Sequence, residues 1–378
     1  MRGRVACGIA AAGLLLTVAA RADNASTAAD LNNQAIAEGK AHRVDQGVAL
    51  LRQALTLSPH DPVISRNLSM ALADWAWQRY REGGATDAIP ALEEAIQHDP
   101  KNGHALVALG NLYYLSRNEF AQAIEMWKRA YGLIPTSQWQ AVSERIAQAE
   151  RDQGIERRFA TYTTPHFHIR VPSSDQQAVA ERLGTELEAA YTRLSSEWGS
   201  SPTDLTVIVY AIGDFQRLAA KPDWAIGFYD GRVRIRLDDV GTDRESRILL
   251  HELAHAFLHK ICGGGIPIWV HEGYAQAVEP SHPRTDRERE VEQGVRARTA
   301  WVPLKWLDAH FEQPTDARDV DRAYAEARVI VEFLLHQYGF PQLRRFVSAV
   351  ASGRPVAAAF EESFPDSHWA RFDQGLPE

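Results

Sequence analysis

Residues 251–255 of the chain read His-Glu-Leu-Ala-His, inside a segment whose apolar residues follow a helical spacing. Histidines four residues apart project from one face of a helix, so both imidazoles can reach one Zn²⁺ at about 2.1 Å. Glu252 follows the first histidine and can lie beside a zinc-bound water, from which it can take a proton without binding the metal. The stretch therefore predicts a helix that carries two zinc ligands, His251 and His255, and a general base.

A second stretch, residues 269–273, reads Trp-Val-His-Glu-Gly and predicts another helix after a run of glycines. Glu272 lies 17 residues after His255, which is enough chain to fold this helix back and deliver a third zinc ligand. Glu279 follows seven residues later on roughly the same helix face. Its carboxylate could accept the outer N–H of a zinc histidine and fix the tautomer of that ring.

Other histidines are alternative ligands. His259 lies two helical turns after the first ligand, and His271 points about 100° away from Glu272. His166 and His168 share one face of a predicted strand and could bind a metal as a pair, but an exposed strand face is the alternative interpretation. The predicted ligand set therefore stays with the two histidines of residues 251–255 and Glu272.

The region around these stretches has the pattern of an α+β domain. Residues 166–171, 205–210 and 232–237 predict three strands, and an apolar stripe between the first two predicts a long helix. The stripe consists of Val179, Leu183, Leu187, Leu194 and Trp198. A strand, a helix, two strands and then several helices indicate an α+β fold for residues 158–378.

The N-terminal region, residues 30–155, has helical spacing and almost no strand signals. Three stretches align on Pro59, Pro100 and Pro135, with an alanine five residues before each proline. A bulky residue stands eight positions before each proline and a small one twelve before: Leu51, Leu92 and Trp127, and Gly47, Ala88 and Ala123. Small residues let two helices approach closely and proline ends the second helix, so the pattern predicts stacked helix pairs.

This region resembles tetratricopeptide repeats, whose period is about 34 residues. The match is best in the third unit, where Leu109-Gly110 and Tyr113 stand at the family's Leu-Gly and Tyr positions. The resemblance implies an all-α repeat domain over residues 23–157, in which residues 139–152 cover the open end. A generic helical bundle is the alternative. Repeat stacks of this kind bind partner proteins or brace a neighbouring domain.

Residues 251–255, Trp269 and Glu272-Gly273 together resemble the gluzincin metallopeptidases. More narrowly, they are similar to the bacterial peptidase-MA-like domains that often follow tetratricopeptide repeats, over about residues 162–350. The resemblance implies a zincin-like domain with a thermolysin-like core. It also implies that His251, His255 and Glu272 bind zinc and that Glu252 is the general base.

The same resemblance implies two features of the cleft. Strand 232–237 would form its edge, where a peptide could pair as an added strand. Tyr324 would stabilise the tetrahedral oxyanion, by loose similarity of position to a downstream tyrosine in such enzymes, and a core or surface tyrosine is the alternative. The sequence lacks the Gly-Ala-Met-Glu-Asn segment with which aminopeptidases of this clan hold a free amino terminus, so cleavage within chains is the default expectation.

The first 22 residues are typical of a secretory signal peptide. Arg2 and Arg4 precede an apolar run at residues 5–20, and residues 20–22 read Ala-Arg-Ala, a small-x-small cleavage pattern. The run is shorter than the ~20 residues that span a bilayer, and an uncleaved anchor is the alternative. Cleavage after Ala22 predicts a periplasmic or secreted protein with no membrane span.

The composition excludes several other classes. The 378 residues carry 41 Lys and Arg against 49 Asp and Glu, a net charge of −8 that gives no bulk attraction for nucleic acid. Two cysteines exclude a disulfide framework and an all-cysteine metal cluster. We therefore predict an exported zinc metallopeptidase that acts on polypeptides, with repeats that bind a protein partner or brace the enzyme. The alternatives are a binding or assembly protein whose zinc domain is structural or inactive, and hydrolysis of a non-peptide amide such as a cell-wall cross-link.

Overall fold

The computed structural model describes residues 6–82, 85–200, 202–219, 227–242, 244–262, 265–280, 286–297, 302–312, 317–365 and 369–372. The chain divides into two compact units, Met1–Gly154 and Ile155–Glu378. The predicted domain bounds, residues 23–157 and 158–378, stay a prediction.

Helices follow one another through the N-terminal unit. They are α1 (Ala6–Lys40), α2 (Val44–Leu57), α3 (Pro62–Glu82), α4 (Ala85–His98), α5 (Gly103–Leu112), α6 (Phe120–Ala130) and α7 (Trp139–Glu156). A short π-helical turn, Tyr113–Arg117, extends α5. Helices α1 and α2, α3 and α4, and α5 and α6 pack as pairs. The all-α repeat fold predicted for this region is therefore confirmed.

The residues aligned on the prolines have the predicted roles in packing. The bulky set and the alanines five before each proline are buried: Leu51, Leu92, Trp127, Ala54, Ala95 and Ala130. A Cβ on Gly110 would lie 2.6 Å from Nε1 of Trp127, so the indole packs directly on the glycine backbone. Helices α2 and α4 end two residues before their prolines, but α6 ends five before Pro135. Gly132 accounts for the earlier end because its φ of 88° lies outside the helical region.

A five-stranded sheet is formed by the described residues of the C-terminal unit, in the order β1-β2-β3-β5-β4. The strands are β1 (Ala160–Thr163), β2 (Phe167–Val171), β3 (Leu205–Tyr210), β4 (Gly227–Tyr229) and β5 (Val233–Arg236). Strands β2, β3 and β5 run parallel, and β1 and β4 pair antiparallel at the two sides. Helix α8 (Gln177–Trp198) connects β2 to β3 and packs on β2, with the stripe residues from Leu183 onward buried. The three predicted strands and the long helix are confirmed.

The expectation that strand 232–237 forms the edge of the cleft is wrong. Strand β5 pairs with β3 on one side and with β4 on the other, so its hydrogen-bonding groups are used on both sides. The chain turns between β4 and β5 at Asp230-Gly231, where Gly231 has a φ of 99°. Among the described residues, β4 is the edge strand next to the site helices.

Arg232, just before β5, and Arg234 within it are buried rather than exposed to solvent. Arg232 and Arg234 are fully buried beside Glu156, whose carboxylate oxygens lie 3.2 Å and 3.4 Å from Nη1 of these two residues. Arg170 of β2 contacts the same carboxylate. Opposite charges at these distances offset the desolvation that a single buried charge would suffer.

The remaining helices of the C-terminal unit carry most of the site. They are α9 (Ile212–Ala219), α10 (Glu245–Cys262), α11 (Ile268–Val278), α12 (Asp286–Arg296), α13 (Leu304–Glu312), α14 (Ala317–Tyr338), α15 (Phe340–Ala351), α16 (Val356–Ser363) and α17 (Trp369–Phe372). Helix α10 packs on α8, β4 and β5, while α11 packs between α10 and α14. Helix α9 packs on the face of the sheet opposite to α8 and α10. The α+β class predicted for this region is therefore confirmed.

The predicted signal peptide is only partly described. Residues 6–22 form the first part of α1, and residues 1–5 lie outside the described residues. Every helix of the described residues is too short or too polar to cross a membrane. Cleavage and export stay predictions.

Candidate metal centre

Helix α10 brings the two predicted histidine ligands together. The Nε2 atoms of His251 and His255 lie 3.2 Å apart. The apolar residues between and after them are wholly buried, so this side of the helix is fixed in the core: Leu253, Ala254, Ala256 and Phe257. Thr242 accepts a hydrogen bond from the N–H of Arg244 at 3.2 Å just before the helix begins.

Helix α11 carries the third predicted ligand. Oε2 of Glu272 lies 3.5 Å from Nε2 of His251 and 3.5 Å from Nε2 of His255. A residue of another helix stabilises the first turn of α11: the N–H of Trp269 donates a hydrogen bond to Oδ1 of Asp308 on α13 at 3.0 Å. Among the described residues, these three side chains are the group of His, Cys or acidic residues whose ligand atoms converge closely enough to hold a metal ion.

The separations of the three atoms are those of a tetrahedral metal site. Two atoms ~2.1 Å from one tetrahedral ion lie ~3.4 Å from each other. The observed separations are 3.2, 3.5 and 3.5 Å. Oε2 of Glu272 is also buried without a hydrogen-bond partner among the described residues, a costly arrangement that a bound cation would relieve. Two imidazole nitrogens and one carboxylate oxygen therefore fit a divalent ion of the zinc type.

Glu279 orients one of the histidines. Its Oε1 lies 2.8 Å from Nδ1 of His251, on the far side of the ring from the converging ligand atoms. Arg247, one turn before His251 on α10, has its Nε 3.8 Å from Oε2 of the same carboxylate. A proton held on Nδ1 by Glu279 leaves the lone pair of Nε2 directed at the centre. The sequence-based hypothesis for Glu279 is therefore consistent with its position.

Glu252 lies beside the converging atoms and is not one of the three residues that could hold the metal ion. Its side chain is 6% exposed and lies under β4, where a Cβ on Gly227 would come within 3.1 Å of Oε1. The same carbon would lie 2.9 Å from Cγ2 of Ile248, so glycine lets the edge strand pass close to both side chains without displacing them. Burial raises the pKa of Glu252, the charges of His251 and His255 oppose that shift, and the nearby carboxylates add to it.

His251, His255 and Glu272 influence one another's charge states at these distances. Burial by itself would raise the pKa of Glu272, but the charges of His255 and His251 outweigh it and hold the pKa well below its usual range. Burial would lower the pKa of His251, whereas its contacts with Glu272 and Glu279 raise it overall. The carboxylate form of Glu272 that a metal requires is therefore the favoured one.

Tyr324 lies on α14 close to the ligand helix. Its backbone oxygen accepts a hydrogen bond from Nε2 of Gln276 at 3.0 Å, and its ring meets the ring of Phe311 edge-on at 5.1 Å. The pKa of the Tyr324 hydroxyl is raised by burial and further by the negative charges of Glu272 and Glu252. The hydroxyl is therefore within electrostatic range of both carboxylates.

The alternative histidines stand apart from the converging group. The ring of His271 is 5.9 Å from that of His255, and burial together with the charge of His255 lowers its pKa to about 4. His259 lies edge-on to Tyr229 at 5.7 Å. His166 and His168 contact two different carboxylates, because His166 Nδ1 lies 2.6 Å from Glu188 Oε2 and His168 Nε2 lies 3.8 Å from Asp204 Oδ1.

Three contributors to the site were missed from the sequence. Asp308 caps α11 from another helix, and Arg247 pairs with Glu279. The third contributor is Gly227, which brings β4 against Glu252. Gly227 stands in a short glycine-flanked segment that could have indicated a hairpin strand, whereas no local pattern distinguishes Asp308 from other helical acids.

The matches to family models agree with this geometry. A model of the Peptidase MA superfamily matches residues 192–366. Residues 192–366 form a Peptidase MA superfamily domain. This domain contains α10, α11 and α14, and with them every residue of the candidate centre described above. A tetratricopeptide-repeat model matches residues 80–146, upstream of the Peptidase MA domain, so the predicted order of repeats and peptidase-like domain is confirmed. No curated protein matches the chain closely enough to count as a relative.

Proposed function

We propose that this protein is an exported zinc metallopeptidase that hydrolyses bonds within polypeptide chains. The observation that carries the proposal is the triangle of His251 Nε2, His255 Nε2 and Glu272 Oε2 with Glu252 buried beside it. The Peptidase MA match supports the reaction class, since it covers these residues. His251, His255 and Glu272 would hold the zinc.

A bound Zn²⁺ would supply a Lewis acid that polarises the scissile carbonyl and makes water nucleophilic near neutral pH. Glu252 would accept the proton of the attacking water and pass it to the departing amine, so that it acts first as base and then as acid. The hydroxyl of Tyr324 would donate a hydrogen bond to the oxygen that gains charge. Glu279 would keep the ring of His251 in the tautomer that binds metal.

The edge strand β4 is the element that we propose to align a peptide. Among the described strands it is the edge strand next to α10, and its backbone at Gly227 passes over Glu252. A peptide that paired with this edge would bring a carbonyl toward the general base, because the pairing fixes the peptide's register. The tetratricopeptide repeats would bind a partner protein or brace the enzyme.

The proposed export rests on the basic start, the apolar run and the Ala-Arg-Ala pattern at residues 20–22. N-terminal sequencing of the protein recovered from the compartment outside the inner membrane tests it. A first residue of Asp23 supports export with cleavage after Ala22. An intact Met1 in that fraction would contradict the cleavage.

The test of the activity combines metal content with a substrate screen. Purified protein is assayed for zinc, then incubated with a mixed peptide library, folded proteins and peptidoglycan, beside a Glu252→Gln variant. We expect one zinc per chain and new peptide termini that the variant does not produce. Zinc without cleavage of any substrate would favour a binding protein with a structural metal site. Cleavage of peptidoglycan alone would replace the peptide substrate by a cell-wall amide.

A further inference from the structure

Helix α3 presents a row of exposed residues that is unusual for a surface. Val63, Met70 and Trp77 follow one another at intervals of seven residues and are 57%, 57% and 47% exposed. Seven residues are close to two helical turns, so the three side chains lie along one line about 21 Å long. Exposed Arg66 and Asp74 lie four residues on either side of Met70. We call these five residues the α3 stripe.

The stripe is distinct from the face by which α3 packs in its own unit. That face consists of Ile64, Leu68, Leu72 and Ala76, all of which are buried. Isolated exposed apolar side chains are common on protein surfaces, but three in a row on one helix are typical of an interface. Helix α3 therefore has one face in the repeat core and a second apolar row open to a partner.

The charges of the stripe are arranged symmetrically and with opposite sign about Met70. Neither Arg66 nor Asp74 forms an ion pair within the described part of the chain, although Asp74 lies within electrostatic reach of His104. If a two-fold axis passed through Met70 and related two antiparallel copies of α3, a residue a given number of positions before Met70 would lie opposite the residue the same number of positions after Met70 in the second copy. Arg66 would meet Asp74 of the second copy, and Val63 would meet Trp77 of the second copy.

We propose that the α3 stripe is a homodimer interface in which two copies of α3 pack antiparallel about Met70. An isologous contact must be complementary to itself, and the stripe meets this condition in both charge and size. Each small valine faces a large tryptophan, and the two-fold axis creates the Arg66–Asp74 pair twice. One helix pair is a small interface, so we expect a dimer with a Kd on the order of 10 µM.

A charge-exchange experiment tests the register. Sedimentation of the purified protein over about 1–200 µM gives the Kd for wild type, Arg66→Asp, Asp74→Arg and the double variant. Each single variant places two like-charge pairs in the interface, so we expect Kd to rise at least ~10-fold, and the double variant to return within ~3-fold of wild type. Asp87→Arg, an exposed residue of α4, is the control for charge reversal. A double variant that stays monomeric would contradict the proposed register.

Cysteine cross-linking tests the symmetry independently. Met70 lies on the proposed axis and faces itself, so Met70→Cys should form a covalent dimer under mild oxidation. Val63→Cys is the matched control, because two copies of residue 63 would be about 21 Å apart in the antiparallel arrangement. Cross-linking of both variants would indicate a parallel pair and overturn the proposal. Wild-type protein that stays monomeric at every concentration would overturn it as well, and would leave the stripe to a different partner.

Discussion

A side-chain carbon on Gly273 would lie 2.3 Å from the backbone oxygen of Ala327, so α11 and α14 meet backbone to backbone at the residue after Glu272. Val331 Cγ2 would be 2.5 Å from the same carbon. Neither neighbour can move away easily, because one is backbone and the other is wholly buried. Gly273 thus lets α11 pack this closely on α14, and this packing sets the position of Glu272.

Gly273→Ala should therefore damage both the fold and the centre. We expect the free energy of unfolding to fall by about 1–3 kcal/mol, since α11 must move away from α14 to admit the methyl group. Glu272 would shift with the helix, and zinc affinity would fall. Denaturant unfolding and chelator competition measure the two effects. Gly213→Ala in α9 is the control, because its new carbon meets nothing within 4 Å, and it should be neutral or stabilising.

Substitutions of the centre should separate metal binding from catalysis. His255→Ala and Glu272→Ala each remove one of the three ligand atoms, so we expect elemental analysis to find little zinc in either. Glu252→Gln should keep about one zinc per chain and lose about 10²–10⁴-fold in kcat, because the amide cannot accept a proton. Loss of zinc from Glu252→Gln would mean that Glu252 is a ligand and not the base.

Glu279 should tune metal affinity from outside the ligand set. Glu279→Gln keeps an oxygen that can accept from Nδ1 of His251 but removes the negative charge, and Glu279→Ala removes both. We expect zinc affinity to fall in the order wild type, Gln, Ala, by about 10–100-fold in all. Competition with a chromogenic chelator measures this series, and exposed Glu361→Gln is the control. An unchanged affinity in Glu279→Ala would show that the contact does not orient the ring.

Tyr324→Phe should affect the chemical step and leave the metal in place. Removal of one donor to a developing oxyanion costs about 10²–10³-fold in kcat. We expect that loss with nearly unchanged KM and zinc content, measured by steady-state kinetics and elemental analysis. Tyr162→Phe is the control, since the Tyr162 hydroxyl donates a hydrogen bond to the backbone oxygen of Ser174. Tyr162 lies on β1, at the edge of the sheet opposite to β4. A rise in KM alone would assign Tyr324 to substrate binding.

The buried carboxyl of Glu326 should make stability depend on pH. Both of its oxygens lie 3.0 Å from the N–H of Val302, and burial raises its pKa from 4.5 to about 8, against smaller opposing effects of that N–H and Arg322. The folded protein therefore holds this proton more tightly than the unfolded chain, and the free energy of unfolding should fall as the pH rises from about 4.5 to about 8.

The measurement compares wild type with Glu326→Gln by denaturant unfolding from pH 5 to pH 9. From pH 5 to pH 9 the free energy of unfolding of the variant should rise by about 3–5 kcal/mol relative to that of wild type, because the neutral amide has no proton to lose. Glu361→Gln, at an exposed acid, should run parallel to wild type. If the free energies of unfolding of Glu326→Gln and wild type changed with pH in the same way, the carboxyl of Glu326 would have its ordinary pKa.

Some elements were predictable because their signals are local. The two histidines four residues apart, the alternation in β2 and β5 and the prolines of the repeats each depend on a few neighbouring residues. The burial of Arg232 and Arg234 was not predictable in this way. It depends on Glu156, which lies more than 70 residues earlier, and buried arginines are tolerated only beside such a partner.

The sequence by itself determined the chemistry of the candidate centre. Helical periodicity places His251 and His255 on one face, and the order of residue types supplies two imidazoles, the carboxylate of Glu252 beside them and a following acid. These properties need no knowledge of distant contacts, because backbone geometry within one helix sets the direction of its side chains.

Only the tertiary structure decided which groups meet that helix and which strand borders it. Glu272 converges with the histidines because Gly273 lets α11 settle on α14 and Asp308 caps its first turn. Strand β4, and not β5, became the edge because a tight turn at Gly231 folds it back along β5. These outcomes depend on packing between segments far apart in the chain, and close packing of backbone and side chains cannot be read from the spacing of neighbouring residues.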